Sequence, residues 1–396
     1  MNITLSDRIS KPDFQGGFTA TILKAAADPS IISFAGGLPN GESFPIAEME
    51  AAAKKVLETN GVLALQYNST QGYLPLRQWI ADRYLKTQEL DVSPDEIIIT
   101  NGSQQALEML GHALINPGDE VIVENPTYLV ALQSLHLYDP KVIAVDLTDK
   151  GIDTDELAKA VKEHNPKLMY VIPNFQNPTG LTYAEATRKK VAEIVKGTDI
   201  LVVEDNPYGE LRFSGKAGHS FRYFLDDQCA MLGTFSKIAA PGMRLGWVVI
   251  KNPGLRAALL NYKSTLDLHT NIFSQVILHQ YLMDNDLDAH IEECKELYGK
   301  KAEYMIECIE KYFPKGVKYT HPEGGMFMWA TLPNGIKAVD VYYAAIERGV
   351  AVCPGDPFYE YDRDVSTMRL NYSNSTDEQI ELGIKTLGEV MAQFVK

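Results

Sequence analysis

Short β-branched runs alternate with amphipathic helical runs from Asp95 to about Ile250, and this alternation restricts the fold of the 396-residue chain more than any other feature. Near-continuous apolar strands separated by helices are typical of a mostly parallel sheet that is covered on both faces. We predict seven strands, at residues 96–100, 120–124, 141–147, 168–172, 200–205, 230–235 and 244–250. The helices between them include residues 154–164 and 185–195.

The sequence pattern changes after about Asn285. From there on, long charged helices and a few short strands replace the regular alternation of strands and helices. The last helix is predicted at residues 376–395. We therefore predict a large α/β domain over residues 46–285 and a smaller α+β domain over residues 286–396. Residues 1–45 are expected to form an N-terminal segment that packs with the small domain.

Composition argues against several classes of protein. A formal net charge of −15 disfavours nucleic acid or an anionic membrane as a partner. The four cysteines are scattered and form no C-x-x-C pair, which indicates reduced thiols in a cytoplasmic protein. The start of the chain lacks the apolar core of a secretion signal, and no run of 18 apolar residues occurs, so we expect neither secretion nor a membrane span.

Two common kinds of site lack their sequence signals. No G-x-G-x-x-G follows a predicted strand, so a nicotinamide-type dinucleotide site has no support. The eight histidines show no metal-like spacing and no H-E-x-x-H occurs, so we predict no metal site.

Polar groups instead recur where the predicted strands end, which is where open α/β sheets bind their ligands. Gly102, Ser103 and Gln104 follow the first strand at the start of a helix, whose free N–H groups and dipole favour an anion. The same residues suit an ordinary N-cap, so a phosphate cradle and a plain cap both stay open. Residues 174–180 (NFQNPTG) follow another strand and by themselves indicate only a loop.

Two acids, Glu204 and Asp205, end a strand that is otherwise rich in valine. A carboxylate at the end of a buried strand is costly unless it has a partner, which favours a functional role. An acid is therefore available there for a buried cationic group.

The segment from Gln228 to Leu266 contains no Asp or Glu, although the chain carries 52 acidic residues. Within it, Lys237 lies between Ser236 and an apolar run, and Arg244 follows seven residues later. Desolvation and a nearby like charge both lower the pKa of a lysine, and a Schiff-base lysine needs a neutral amine. Arg244 favours an anionic ligand. A carbonyl cofactor with a phosphate, such as pyridoxal phosphate, suits both residues, and it also needs an acid at its ring nitrogen.

Nine segments together carry a resemblance to a known family. In chain order they are residues 32–45, 65–77, 101–110, 124–128, 174–180, 204–211, 234–247, 321–329 and 368–373. They resemble the pyridoxal-phosphate-dependent aminotransferases of fold type I, class I/II, and are most similar to the branch of 2-aminoadipate, kynurenine and aromatic aminotransferases. The resemblance covers nearly the whole chain and implies the two-domain α/β fold of those enzymes.

The resemblance implies roles for the residues around a cofactor ring. Lys237 is expected to form the Schiff base with pyridoxal 5'-phosphate and then to shuttle the substrate's Cα proton. Asp205 is expected to keep the pyridine nitrogen protonated, while Asn177 and Tyr208 hydrogen-bond the ring 3-oxygen. Tyr128 is expected to stack on the ring face, with plain packing as its alternative.

Phosphate contacts are implied in the same way for Ser103, Gln104, Thr234, Ser236 and Arg244. For Thr234 and Ser236, simple capping is the alternative. Tyr67 is expected to reach the phosphate of the neighbouring subunit, which implies a homodimer with shared sites.

Substrate contacts are implied for Arg369, Asn177 and Gly37. Arg369 is expected to grip the substrate α-carboxylate, because the planar guanidinium matches a carboxylate bidentately. Gly37 is expected to let the N-terminal segment close over the substrate.

In the family this N-terminal segment forms part of a lid over the substrate side chain, here residues 14–26. Its apolar residues are Phe14, Phe18, Ile22 and Leu23, and its one cation is Lys24. An acidic substrate side chain favours a dedicated arginine, which this segment lacks, so we predict large neutral donors, aromatic or aliphatic. Packing against the body of the protein is the alternative for Phe18, Ile22 and Leu23.

The sequence therefore predicts an aminotransferase that moves an amino group from an L-amino acid to a 2-oxo acid, with 2-oxoglutarate implied by resemblance only. A carbon–sulfur β-lyase on the same fold is the alternative, because the two reactions share their first steps. A third hypothesis, from another class, is a ligand-sensing regulator with an aminotransferase-like domain. Such a regulator needs an N-terminal DNA-binding module, and the resemblance already begins by residue 34 in a strongly acidic chain, so we expect no such module.

Overall fold

The computed structural model describes residues 3–6, 28 and 30–395. Its strands are β1 (Ile32–Ser33), β2 (Ile97–Asn101), β3 (Glu120–Asn125), β4 (Lys141–Thr148), β5 (Gly151–Ile152), β6 (Leu168–Val171), β7 (Leu201–Asp205), β8 (Cys229–Thr234), β9 (Leu245–Val249), β10 (Lys318–Tyr319), β11 (Phe327–Thr331), β12 (Val350–Ala351), β13 (Cys353–Pro354) and β14 (Thr367–Asn371).

The α-helices of the described residues are α1 (Ile46–Leu65), α2 (Leu74–Gln88), α3 (Ser103–Leu114), α4 (Leu129–His136), α5 (Thr154–Glu163), α6 (Glu185–Val195), α7 (Phe221–Leu225), α8 (Pro253–Leu266), α9 (Ile272–Asp284), α10 (Leu287–Tyr312), α11 (Ala338–Ile346) and α12 (Asp377–Phe394). Side chains cap several of them. For example, Thr376 and Gln379 form a capping box at the start of α12. Across the described ranges, none of the helices is both long and apolar enough to span a membrane.

The central sheet has eight strands in the spatial order β2–β9–β8–β7–β6–β3–β4–β5. The pairs from β8 to β4 are parallel, whereas β9 is antiparallel to both β8 and β2. All seven predicted strands are present within one residue of their expected bounds, and the mostly parallel sheet is confirmed. The eighth strand, β5, is a two-residue antiparallel extension of β4, too short to give a sequence signal.

Both faces of the central sheet are buried, because alternate residues of its strands point to opposite sides. In β7, Val202 belongs to one apolar cluster and Val203 to another. The same division separates Ile99 from Ile98 in β2. Helices on the two faces close these cores, which explains why the strands are nearly continuous apolar runs.

A second sheet of four strands follows in the C-terminal part, in the order β10–β11–β14–β13. Its strand β14 carries Arg369, which lies opposite Trp329 of β11 and Cys353 of β13. Near the other end of the chain, β1 pairs with β12 in a parallel ladder. The predicted division of the chain after residues 45 and 285 stays a prediction.

The carboxyl ends of the parallel strands meet at one edge of the central sheet. Since β9 is antiparallel to both of its neighbours, β2 runs in the same direction as β8 and also ends at this edge. The turn between β8 and β9 lies there as well. The segments that follow β2, β6 and β8 therefore converge with the end of β7.

Candidate active site

A cavity of ≈ 150 Å³ opens at this edge of the sheet. Eleven of the residues singled out from the sequence line it, namely Gly102, Ser103, Gln104, Tyr128, Asn177, Asp205, Tyr208, Thr234, Ser236, Lys237 and Arg244. The lining also includes Leu107, Ile172, Pro207 and Pro241, which the sequence did not single out. The predicted residues Gly37, Arg369 and Tyr67 lie outside the lining.

Lys237 lies in the turn after β8, and its Nζ donates a hydrogen bond to the carbonyl oxygen of Gly37 at 2.9 Å. Burial, together with the smaller effects of the charges on Arg369 and Arg244, lowers the pKa of Lys237 to about 8. The amine is therefore neutral far more often near pH 7 than an ordinary lysine is. Gly37 fits closely here, since a Cβ on it would meet the Phe327 ring at 2.9 Å.

Asp205 ends β7 with its carboxylate buried at the cavity wall. The Tyr170 hydroxyl donates to its Oδ2 at 2.7 Å, whereas Oδ1 is buried and has no hydrogen-bond partner in the described residues. Burial raises the pKa of Asp205 to about 6, and the hydrogen bond from Tyr170 opposes that shift. A buried, unsatisfied carboxylate oxygen beside a cavity suits a charged N–H donor from a ligand.

The neighbouring acid, Glu204, points to the opposite face of β7. Its Oε2 accepts hydrogen bonds from Ser220 Oγ at 2.6 Å and from the Phe221 N–H at 2.7 Å. Of the two acids that end this strand, Asp205 is therefore the one that reaches the cavity.

The start of α3 forms the other end of the cavity. Gly102 is the N-cap, with a φ of 74° and no side-chain cap, so the alternative of a plain Ser103 cap is wrong. A Cβ at Gly102 would lie 2.4 Å from Arg244 Nη2, and glycine therefore lets the guanidinium approach the helix start. Free N–H groups beside a cation make an anion site. The Gln104 side chain donates to Ser134 Oγ and is therefore engaged away from the anion site. The group that Gln104 can offer to an anion is its backbone N–H in the first turn of α3.

Thr234 and Ser236 both line the cavity and also bond to each other. The Ser236 N–H donates to Thr234 Oγ1 at 3.1 Å, and Thr234 Oγ1 donates to Ser236 Oγ at 2.9 Å. Thr234 thus accepts a nearby backbone N–H while it stays in the cavity wall, and the choice between capping and a phosphate contact stays a prediction.

Arg369 adjoins the cavity through Asn177. Its Nη1 donates to Asn177 Oδ1 at 2.7 Å and its Nη2 to the Ala35 carbonyl at 2.6 Å, while its buried Nε has no partner in the described residues. The guanidinium lies between two rings, 4.2 Å from the centre of Phe327 and 5.0 Å from that of Phe358. These neutral acceptors and rings orient the plane of the Arg369 guanidinium without neutralising its positive charge.

Asn177 also hydrogen-bonds the hydroxyl of Tyr208, so these two polar side chains lie side by side in the cavity lining. Burial raises the pKa of Tyr208 well above its ordinary value, and it raises the pKa of Tyr128 to about 12. Both phenols therefore stay protonated at neutral pH and can donate hydrogen bonds.

Two of the predicted features lie elsewhere. Tyr67 is 77% exposed and packs edge-on against His269, away from the cavity of its own chain. The lid segment, residues 14–26, lies outside the described residues.

Three aromatic residues that contact the site were not predicted from the sequence. Tyr170 was identified only as part of a strand, although a tyrosine hydroxyl in an aliphatic strand needs a partner and is a usable signal. Phe327 lies in one of the family segments, but its contact with Arg369 requires the folded sheet. Phe358 reaches the same guanidinium from a three-residue 3-10 helix (Asp356–Phe358), which is too short to give a local signal.

The residues of the cavity fit a phosphorylated aromatic aldehyde with a ring nitrogen. Lys237 offers an amine to a carbonyl, the free Oδ1 of Asp205 offers an acceptor to a ring N–H, and the start of α3 with Arg244 offers an anion site. Pyridoxal phosphate carries all three of the matching groups.

Comparisons with known proteins agree with this fit. The family model "Aminotransferase class I and II" matches residues 30–387. The aromatic-amino-acid aminotransferase 1 of Thermococcus litoralis is 42% identical over 95% of this chain and 91% of that protein. The 2-aminoadipate transaminase of Thermus thermophilus is 36% identical over 93% of this chain and 92% of that protein.

Among solved structures, the Pyrococcus horikoshii kynurenine aminotransferase in complex with PMP, KYN and KYA superposes with a TM-score of 0.91. Its sequence is 40% identical, and the match covers 96% of this chain and 95% of that one. The family, the fold and the chemistry of the cavity thus lead to one conclusion. The chain belongs to the class I and II aminotransferases and is a pyridoxal-phosphate-dependent enzyme of that family.

Proposed function

We propose that the protein transfers the amino group of large neutral L-amino acids, aromatic or aliphatic, to a 2-oxo acid, with 2-oxoglutarate as acceptor. The observation that carries this proposal is the convergence of Lys237, Asp205 and Arg369 around one cavity. Relatives named for aromatic amino acids, 2-aminoadipate and kynurenine support a broad range of donors.

Bound pyridoxal phosphate supplies a carbonyl that takes up an amino group and a ring that withdraws electrons from the substrate Cα. Lys237 Nζ would take the proton from that Cα and would deliver it to the former carbonyl carbon of the cofactor, which its low pKa permits near pH 7. Asp205 Oδ1 would hold the proton on the ring nitrogen. Asn177 and Tyr208 would hydrogen-bond the ring 3-oxygen, and Tyr128 would pack against the ring.

The remaining residues bind and orient. Ser103, Gln104, Thr234, Ser236 and Arg244 hold the phosphate. Arg369 would bind the substrate α-carboxylate, with Asn177 beside it, and Gly37 would let the N-terminal segment close over the substrate.

We also propose a cytoplasmic homodimer with shared sites, in which Tyr67 reaches the phosphate of the neighbouring subunit. Exposed apolar side chains flank Tyr67 along the chain, including Val62 and Leu65 at the end of α1 and Leu74 at the start of α2. Such a run of exposed apolar residues is typical of a subunit interface. All four cysteines are buried free thiols, which suits a reducing compartment.

Donor preference tests the proposed substrate class. With 2-oxoglutarate as acceptor and glutamate formation as the measured product, kcat/KM for phenylalanine, leucine and methionine will exceed that for aspartate and 2-aminoadipate by roughly 10-fold or more. The reason is the apolar character of residues 14–26, which offer one lysine and no arginine to a second carboxylate. Alanine, which shares the α-groups but lacks the large side chain, is the control and will also be a poor donor. A clear lead for either dicarboxylate means that a cation outside this segment sets the specificity.

Substitution of Arg369 by lysine tests the proposed carboxylate contact. The variant keeps the charge but loses the planar fork, so KM for amino acids and oxo acids will rise roughly 10-fold or more while the Kd for pyridoxal phosphate stays unchanged. Arg244→Lys is the matched control, and there the cofactor Kd will rise instead. If Arg369→Lys weakens cofactor binding as much as substrate binding, Arg369 belongs to the phosphate site.

A further inference from the structure

Tyr170 lies in the middle of β6 with its side chain fully buried. The register of the sheet places it opposite Val203 of β7, so its side chain shares a face with Val203 and with Asp205 two residues later. A long aromatic side chain can reach such a diagonal neighbour on the next strand. The Tyr170 hydroxyl accordingly donates to Asp205 Oδ2 at 2.7 Å.

The two oxygens of Asp205 therefore differ in their surroundings. Oδ2 is satisfied from within the core, whereas Oδ1 is buried at the cavity without a partner in the described residues. Tyr170 is not among the residues that line the cavity, so any influence it has on a ligand passes through Asp205.

A hydrogen bond to one oxygen does two things to a buried carboxylate. It fixes the rotation of the carboxylate plane, and it stabilises the charged form against desolvation. Burial alone raises the pKa of Asp205, and the bond from Tyr170 is the contact that opposes the rise. Without it, Asp205 would rotate more freely and lose charge more easily.

We propose that Tyr170 is a positioning residue for the cofactor, because its hydroxyl holds Asp205 in the orientation that aims Oδ1 at the ring nitrogen. The inference rests on the proposed function, since it takes Asp205 as the partner of that nitrogen. The competing view is that Tyr170 only fills the core, in which case phenylalanine would serve equally well for cofactor binding.

A second buried pair in the same chain provides a matched control. Tyr183 is also buried, and its hydroxyl donates to Oε1 of the buried Glu124 at 2.7 Å. Glu124 is held by Gln176 as well and is not part of the cavity lining. Tyr183→Phe thus removes the same type of bond, from a carboxylate that does not meet the ring nitrogen.

The test compares two probes in wild type, Tyr170→Phe and Tyr183→Phe. One probe is pyridoxal phosphate, and the other is its analogue with carbon in place of the ring nitrogen. Both are titrated into the full chain after removal of the cofactor, and absorbance gives each Kd. In wild type, pyridoxal phosphate will bind more tightly than the analogue. In Tyr170→Phe this preference will shrink roughly 10-fold, whereas Tyr183→Phe will retain the wild-type preference.

The outcomes separate the inference from the proposed function. If wild type binds both probes equally, Asp205 does not hold the ring nitrogen and the proposed function of Asp205 fails. If wild type discriminates and Tyr170→Phe discriminates equally well, the positioning role is wrong. Should Tyr170→Phe not fold, 3-fluorotyrosine at position 170 keeps the volume and makes the phenol a stronger donor. The preference will then increase, and an unchanged preference contradicts the proposal.

Discussion

Replacement of Lys237 by alanine will leave a folded protein that still binds pyridoxal phosphate but transfers amino groups at least roughly 10³-fold more slowly. The amine has two tasks, as the partner of the cofactor carbonyl and as the carrier of the substrate Cα proton, and alanine removes both. The phosphate site around α3 and the Asp205 carboxylate stay in place, so binding persists. Steady-state kcat with phenylalanine and 2-oxoglutarate, measured beside a cofactor titration, checks the two halves of this result.

Lys251→Ala is the control for general effects of removing a lysine. Lys251 is exposed and pairs with Asp226 at 2.7 Å, outside the cavity. Its variant will keep wild-type kcat. Appreciable turnover by Lys237→Ala, within roughly 10-fold of wild type, would mean that another group carries the proton.

Substitution of Asp205 by alanine will lower kcat by on the order of 100-fold, while the protein stays folded. Its Oδ1 is the buried acceptor available to the ring nitrogen, and its pKa of about 6 leaves it mostly charged at neutral pH. Without this charge, the proton on the cofactor's ring nitrogen would have no acceptor in a site that excludes water. Asp205→Asn keeps the shape and will lose most of the same activity, because the amide cannot hold that proton.

Glu204→Gln is the matched control for Asp205. Glu204 is the preceding residue and is equally buried, but it bonds to Ser220 and Phe221 on the other face of β7. Its variant will change the melting temperature more than the rate. If Glu204→Gln loses activity and Asp205→Ala does not, the assignment of the two acids is reversed.

Local patterns predict much of this architecture, because each rests on short-range chemistry. Apolar runs of four to eight residues define the seven long strands, and the polar residues that follow them mark the sheet edge at which the cavity opens. The acid-free stretch around Lys237 correctly anticipates an amine whose pKa is lowered by burial and by Arg244. Eleven residues singled out from the sequence line one cavity, while the roles assigned to them stay predictions.

Other features depend on contacts that no local pattern encodes. The strand β5 has only two residues and exists because β4 offers it a free edge. The bond from Tyr170 to Asp205 depends on the register between β6 and β7, which a single strand does not specify. The rings around Arg369 come from two distant segments, at Phe327 and Phe358. The choice between Glu204 and Asp205 likewise follows from which face of β7 meets the cavity.

The attachment point of the cofactor shows whether Lys237 is the lysine that bonds to pyridoxal phosphate. Borohydride reduction of the purified protein fixes pyridoxal phosphate to its amine, and peptide mapping by mass spectrometry then locates the phosphopyridoxyl group. We predict a single labelled peptide, the one that contains Lys237. Lys263 is the informative alternative, since it lies in the same acid-free segment and is buried, although it bonds to Asp267 at 2.8 Å. A label on Lys263 or on any other lysine, with Lys237 unmodified, would contradict the role proposed for Lys237.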